Sequence, residues 1–183
     1  MHISATGVSH HDTPVELRER LAFNADQLKP GLARLPDGLA GAVLSTCNRT
    51  ELYLAAESAV DREAAIAALA SARGQPVPEG IRFYHREGRD AVEHLFKVAA
   101  GIESLVVGES EILGQVREAF SAATAAGRSN AVLARLFHTA LRVGRRARAE
   151  TEIGAHGLSV SALAVSLSRR LVGDLRRKTV LVV

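Results

Sequence analysis

The chain has 183 residues, 47% hydrophobic, 23% charged and 4% aromatic, with a formal net charge of +3. These are the proportions of a globular chain, long enough for one domain or for one domain and part of another. They exclude several classes: no apolar run approaches the roughly 20 residues of a membrane span, the single cysteine cannot form an internal disulfide or a cysteine-based zinc site, and the scarcity of aromatics argues against a stacking platform for single-stranded nucleic acid. The N-terminus, Met1-His2-Ile3-Ser4-Ala5, lacks the basic flank and apolar block of a signal peptide. A soluble cytoplasmic protein is therefore expected, its core filled by alanine, leucine and valine.

In chain order, His2–Ser9 reads as a first strand, and Pro14 opens a short helix over Val15–Phe23. Asn24 and Gln27 form a capping-box pair for a second helix running to about Leu35, and Pro36-Asp37-Gly38 makes a turn. Gly41–Thr46 and Glu51–Ala56 are strand-like, separated by the polar Cys47-Asn48-Arg49-Thr50. Asp61–Ala72 is alanine-rich and helical, and Ile81–His85 is a further strand. From Arg89 the pattern turns helical, with Ala91, Leu95, Val98 and Ala99 at helix spacing, then Ile112, Val116, Ala119 and Phe120. Gly101 and Gly108 bracket the segment between those helices. Asn130–Glu150 forms a long helix, Leu158–Leu175 another, and Lys178–Val183 reads as a buried parallel strand. The fold class expected is α/β: an α+β domain with a small antiparallel sheet and a helical second half.

Charge is unevenly spread. Residues 1–116 carry 11 Lys+Arg against 16 Asp+Glu, whereas residues 117–183 carry 12 against 4. The basic half, with Arg135, Arg142, Arg145, Arg146 and Arg148 on one helix, suits either an RNA partner or a solvated face.

Cys47 is the first candidate for chemistry. A lone cysteine is commonly an apolar filler, but a polar island stands here where a turn would normally offer Gly or Asp. A guanidinium beside the thiol favours the nucleophilic thiolate. His94 is a packed or surface residue of its helix, or a proton donor or acceptor if the fold brings it to Cys47. His10 and His11 read as structural, and Glu109-Ser110-Glu111 as helix-start residues.

Taken together, these segments resemble the glutamyl-tRNA reductases. The likeness rests on Ser45-Thr46-Cys47-Asn48-Arg49-Thr50-Glu51 and on Gly7-Val8-Ser9-His10 followed by Pro14 and Arg18-Glu19. It extends through His94–Ser104 and Gly108–Val116, in the family's order and spacing. The resemblance implies NADPH-dependent reduction of glutamyl-tRNA to glutamate 1-semialdehyde through a cysteine thioester, the first step of tetrapyrrole synthesis. It implies Cys47 and His94 as catalytic residues. Thr46, Asn48, Arg49, Ser104, Glu109, Ser110, Glu111 and Gln115 would line the substrate pocket, with Arg49 paired to the substrate γ-carboxylate by charge complementarity.

Residues 1–155 would form the catalytic domain, and 156–183 a linker helix and the first strand of a Rossmann-like NADPH domain cut short before its glycine turn. Glutamyl-tRNA, a homodimer formed through a C-terminal domain and glutamate-1-semialdehyde aminomutase are the implied partners. The competing readings are a tRNA-binding module without chemistry and a cysteine hydrolase of small esters.

Overall fold

The structure, a computed structural model, describes residues 1–154, 160–179 and 181. Four strands form one antiparallel sheet: β1 (His2–Ser9), β2 (Ala40–Ser45), β3 (Arg49–Ala56) and β4 (Tyr84–Glu87), in the order β2-β3-β1-β4. The helices are α1 (Val15–Leu21), α2 (Ala25–Ala33), α3 (Arg62–Arg73), α4 (Gly88–Ala100), α5 (Glu111–Ala125), α6 (Ala131–Glu150) and α7 (Val160–Val172). This is the expected mixed fold, a small antiparallel sheet with a helical second half.

Every residue of β3 is buried, because the strand lies between β1 and β2 and is covered on both faces. Side chains alternate across a strand, so Arg49, Glu51 and Tyr53 share one face and Leu52 and Leu54 the other. The first face meets α4 through His94 and α6 through Phe137, whose ring stands edge-on to Tyr53 at 5.6 Å. On the other face Gly41 lies between Leu35 and Leu54, with no room for a larger side chain.

Local signals account for the helix boundaries. Asn24 and Gln27 form the expected reciprocal capping box. Asp61 and Asn130 accept from Ala64 N and Leu133 N at the starts of α3 and α6. The Asn130 amide also donates to Ala55 O at 3.1 Å, tying α6 to the end of β3. Gly74 (φ 70°) and Gly101 (φ 81°) close α3 and α4 in the left-handed conformation that favours glycine. Gly144 lets α6 approach α4 closely, since a Cβ there would sit 2.5 Å from Ala99 O.

Several boundaries differ from expectation. β3 begins at Arg49 rather than Glu51, because Arg49 and Thr50 already pair with Ser9 and Val8 of β1. The polar connection thereby shrinks to Thr46-Cys47-Asn48. The fourth strand is Tyr84–Glu87 rather than Ile81–His85, because pairing with β1 starts only where Tyr84 meets Gly7. The expected Leu158–Leu175 helix spans Val160–Val172 and ends at Gly173 (φ 77°), with Leu158 and Ser159 outside the described residues. Val180, Val182 and Val183 of the expected last strand also lie outside them, while Lys178, Thr179 and Leu181 join no strand among the described residues and Leu181 is exposed. Among the described residues, no helix is long and apolar enough to cross a membrane.

Candidate active site

The β2–β3 hairpin is closed by Thr46 N donating to Arg49 O at 2.8 Å. Inside it, Thr46 Oγ1 accepts from the backbone N–H of Asn48 (3.0 Å) and Arg49 (3.2 Å), which folds a tight tip that carries Cys47 outward. Cys47 is exposed, and its thiol makes no hydrogen bond among the described residues. The loop after β1 braces this tip from the side. His10 N donates to Asn48 O at 2.8 Å, and the Arg18 guanidinium donates to Thr13 O and, at 3.3 Å, to Cys47 O. Burial, then the neighbouring His11, Arg49 and Arg18, holds the His10 imidazole below its ordinary value. Its Nδ1 is buried without a partner.

The Arg49 side chain is buried. Strand alternation turns it inward, where it is 2% exposed and donates to Glu51 Oε1 at 2.7 Å and to the carbonyl of Glu103. The guanidinium expected to pair with a substrate carboxylate is bonded here to a buried carboxylate of its own strand. The cation bonded to the Cys47 carbonyl is Arg18.

Glu51 is the centre of a buried network that the sequence reading missed. Its side chain is wholly buried. Oε1 accepts from Arg49, from the Tyr84 hydroxyl and from His94 Nε2 at 3.0 Å, and Oε2 accepts from the Tyr53 hydroxyl. Burial alone would raise the Glu51 carboxyl. The Arg49 charge and donation from His94 and Tyr53 outweigh it and hold the group well below the usual carboxylate range. The tyrosines respond oppositely: burial and the adjacent Glu51 charge push both hydroxyls far above their ordinary value, so they remain donors. A charged residue two positions beyond Arg49, on an otherwise apolar strand, was the available signal.

His94 is 6% exposed and engages Glu51, not Cys47. It also lines a small cleft with Arg86, Asp90, Glu93, Lys97 and Glu103. The remaining candidates lie on the segment joining α4 to α5. Ser104 is buried and its hydroxyl makes no hydrogen bond among the described residues. Glu109 is buried, and Arg148 of α6 donates to its carbonyl and to that of Gly108. Ser110 holds the N-cap position of α5 without a side-chain cap bond, and Glu111, exposed, begins that helix. Gln115 Oε1 is buried without a partner. Through the Arg49 bond to Glu103, and the 3.6 Å approach of His11 to the Glu103 carboxylate, the loop after β1, the start of β3 and Glu103 meet. Gly108 (φ 83°) fits there because a Cβ would collide with Ile153 O.

Comparison with known proteins decides the family. The model of the glutamyl-tRNA(Glu) reductase N-terminal domain matches residues 6–151. The chain belongs to this family. It is 46% identical to the glutamyl-tRNA reductase of Rubrobacter xylanophilus and 43% identical to that of Alcanivorax borkumensis, in each case over 100% of this chain. It covers 43% and 44% of those proteins, so it spans less than half the length of the curated relatives it matches. Among solved structures, glutamyl-tRNA reductase from Methanopyrus kandleri superposes with a TM-score of 0.70 at 31% identity, over 93% of this chain and 40% of that one.

Proposed function

We propose that this chain performs the acyl-transfer part of the reduction of glutamyl-tRNA to glutamate 1-semialdehyde, with Cys47 as nucleophile. The observation that carries the reading is the presentation of Cys47: an exposed thiol on a hairpin tip braced by Thr46, His10 and Arg18. The sulfur attacks the ester carbonyl that joins glutamate to the terminal ribose of the tRNA. A C–S bond forms, the C–O bond breaks, and the thiol proton ends on the departing ribose oxygen. The products are a glutamyl thioester and free tRNA. An aminoacyl ester is already activated, so this step asks less of a base than amide cleavage.

Thr46, Asn48, Ser104, Ser110 and Gln115 supply polar contacts to the bound glutamyl group in this reading, and Glu109 or Glu111 meets its ammonium. Arg49, a buried guanidinium bonded to Glu51 and the Glu103 carbonyl, pairs with the substrate γ-carboxylate by charge complementarity in the same reading. The domain division at about residue 155 and the partners implied by the family, a second subunit and the aminomutase, belong to the same proposal.

NADPH supplies the hydride that converts such a thioester to the aldehyde. The described residues do not fit it. A dinucleotide pyrophosphate rests on a glycine turn between a parallel strand and a helix N-terminus, whereas this sheet is antiparallel throughout and Gly74 and Gly101 close helix C-termini. No hydride step is assigned to them, and slow hydrolysis of the thioester is the expected turnover of this chain alone.

The test is intact-mass detection after mixing with glutamyl-tRNA. The parent chain gains a glutamyl adduct, and Cys47→Ser gains none while binding tRNA within a few-fold. No adduct on the parent refutes the reading. Binding without an adduct favours the tRNA-binding module, and equal turnover of simple esters favours the hydrolase.

A further inference from the structure

Arg18 carries a positive charge that the fold leaves without a carboxylate. Its guanidinium donates to two backbone carbonyls, Thr13 O at 2.6 Å and Cys47 O at 3.3 Å, and to no acidic side chain among the described residues. Asp12, Glu16 and Glu19 lie near it along the chain, all exposed, and none pairs with it. Arg49, by contrast, has the Glu51 carboxylate at 2.7 Å. Burial, and then the charges of His11, Arg49 and Arg18, depress the His10 imidazole, which registers the same positive surroundings. A guanidinium has five N–H donors. Arg18 Nε is buried without a partner, whereas the bond to Cys47 O is exposed to solvent, so the donors left for a ligand are those of the terminal nitrogens.

Position matters as much as charge. The carbonyl oxygen that Arg18 holds and the sulfur of Cys47 belong to one residue, so covalent structure alone keeps the guanidinium within a short side chain's reach of the thiol. The substrate of the proposed reaction brings two kinds of anion to that thiol. One is the γ-carboxylate, assigned above to Arg49. The other is phosphate, and the RNA phosphate nearest the ester is the one on C5′ of the same terminal ribose. We propose that Arg18 is a substrate-binding residue that takes this 5′ phosphate, placing the terminal ribose so that its ester carbonyl meets Cys47. The inference rests on the function proposed above. A planar, permanently charged fork suits phosphate oxygens, and the two carbonyl bonds hold it ready in one orientation.

The experiment uses the full 183-residue chain and two short esters that differ by one phosphate. One is adenosine 5′-monophosphate carrying glutamate on its ribose, the other the same ester of adenosine. The rate of Cys47 adduct formation is followed by intact mass at ester concentrations below saturation. The parent should react with the phosphorylated ester about 10-fold faster, the value of one charge-assisted hydrogen bond at a partly exposed site. In Arg18→Gln the bonds to Thr13 and Cys47 change as well, so both rates fall, and the reading is their ratio, which should collapse to about 1. Arg18→Lys keeps the charge without the fork and should hold a ratio between those of the parent and Arg18→Gln.

Equal rates with the two esters in the parent overturn the proposal, and that measurement needs no variant to fold. A preference that survives intact in Arg18→Gln overturns it too, because the phosphate is then bound elsewhere and Arg18 only braces the hairpin. So does a parent that reacts with glutamyl-tRNA but with neither short ester, since recognition then rests on RNA beyond the terminal nucleotide. A parent that forms no adduct even with glutamyl-tRNA refutes the proposed function instead.

Discussion

Replacing Arg49 by Met tests whether the buried network has the charge arrangement described. Methionine fills most of the volume but removes the charge and both hydrogen bonds, to Glu51 Oε1 at 2.7 Å and to Glu103 O. Both ionic side chains are almost wholly buried, at 2% and 0% exposure. Removing one partner of such a pair costs about 3–5 kcal/mol, since the other charge stays buried without compensation. The orphaned Glu103 carbonyl adds to this, and the remaining donors to Glu51 (His94, Tyr53 and Tyr84) subtract from it. A loss of about 3–5 kcal/mol at pH 7 is therefore expected, on the order of 10 °C in Tm for a chain of this length.

The pH dependence gives a second, independent reading. In the parent, Glu51 is held below its unfolded value, so the unfolded chain binds the extra proton. Its stabilising contribution is present above about pH 4.5 and is lost progressively as pH falls below that. In Arg49→Met, burial is no longer opposed by the guanidinium, the carboxyl rises, and the acid-induced loss shrinks. Urea unfolding followed by circular dichroism at pH 7, 5 and 4 measures both effects. A variant within about 0.5 kcal/mol of the parent at pH 7, or one with the parent's full acid dependence, refutes the reasoning.

Gly144→Ala should destabilise by about 2–3 kcal/mol, because the added methyl meets the Ala99 carbonyl and Leu113 Cδ1 in the α4–α6 contact, and a helix carbonyl cannot step aside; its urea midpoint measures this. Asn130→Ala should cost about 1–2 kcal/mol in the same measurement, since it removes both the α6 cap and the bond to Ala55 O. On α6, Arg142 and Arg145 are exposed without an acidic partner among the described residues, whereas Arg146 pairs with Glu150 and Arg148 holds the carbonyls of Gly108 and Glu109. If this face meets tRNA phosphates, the Arg142→Ala/Arg145→Ala double variant should weaken binding and flatten its log–log salt dependence by about 0.7–0.9 per lost contact; an unchanged slope marks a solvated face.

What the sequence discloses here follows the range of the interactions involved. The capping boxes and glycine stops are legible because they act within one helical turn. The hairpin is legible because its polar tip interrupts two apolar runs. The Thr46–Arg49 island was recognisable on the same ground, but the burial of Arg49 and its bond to Glu51 were not. The partners of that guanidinium are Glu51 on the same strand and the Glu103 carbonyl 54 residues on. The Glu51 network was illegible for a different reason. Its Tyr84 and His94 partners lie 33 and 43 residues away, on elements whose packing no local period encodes. His94, read by itself, was one more helical histidine.

A buried ion pair is a poor device for stability, because apolar side chains of equal volume commonly do as well or better. Its retention at the start of β3 therefore calls for something apolar packing cannot supply. Arg49 binds a carboxylate on its own strand and a backbone carbonyl 54 residues on, so one side chain sets the distance between the Cys47 hairpin and the Ser104 segment. Glu51 accepts from β3, β4 and α4 at once, and a leucine in its place would fill the space while leaving the His94 ring free to turn. Both groups spend desolvation energy on direction, and the elements so oriented are those that carry Cys47, Ser104 and His94. The cost falls where acyl transfer would require fixed geometry, whereas the hydrophobic core around it is built mainly of alanine, leucine and valine.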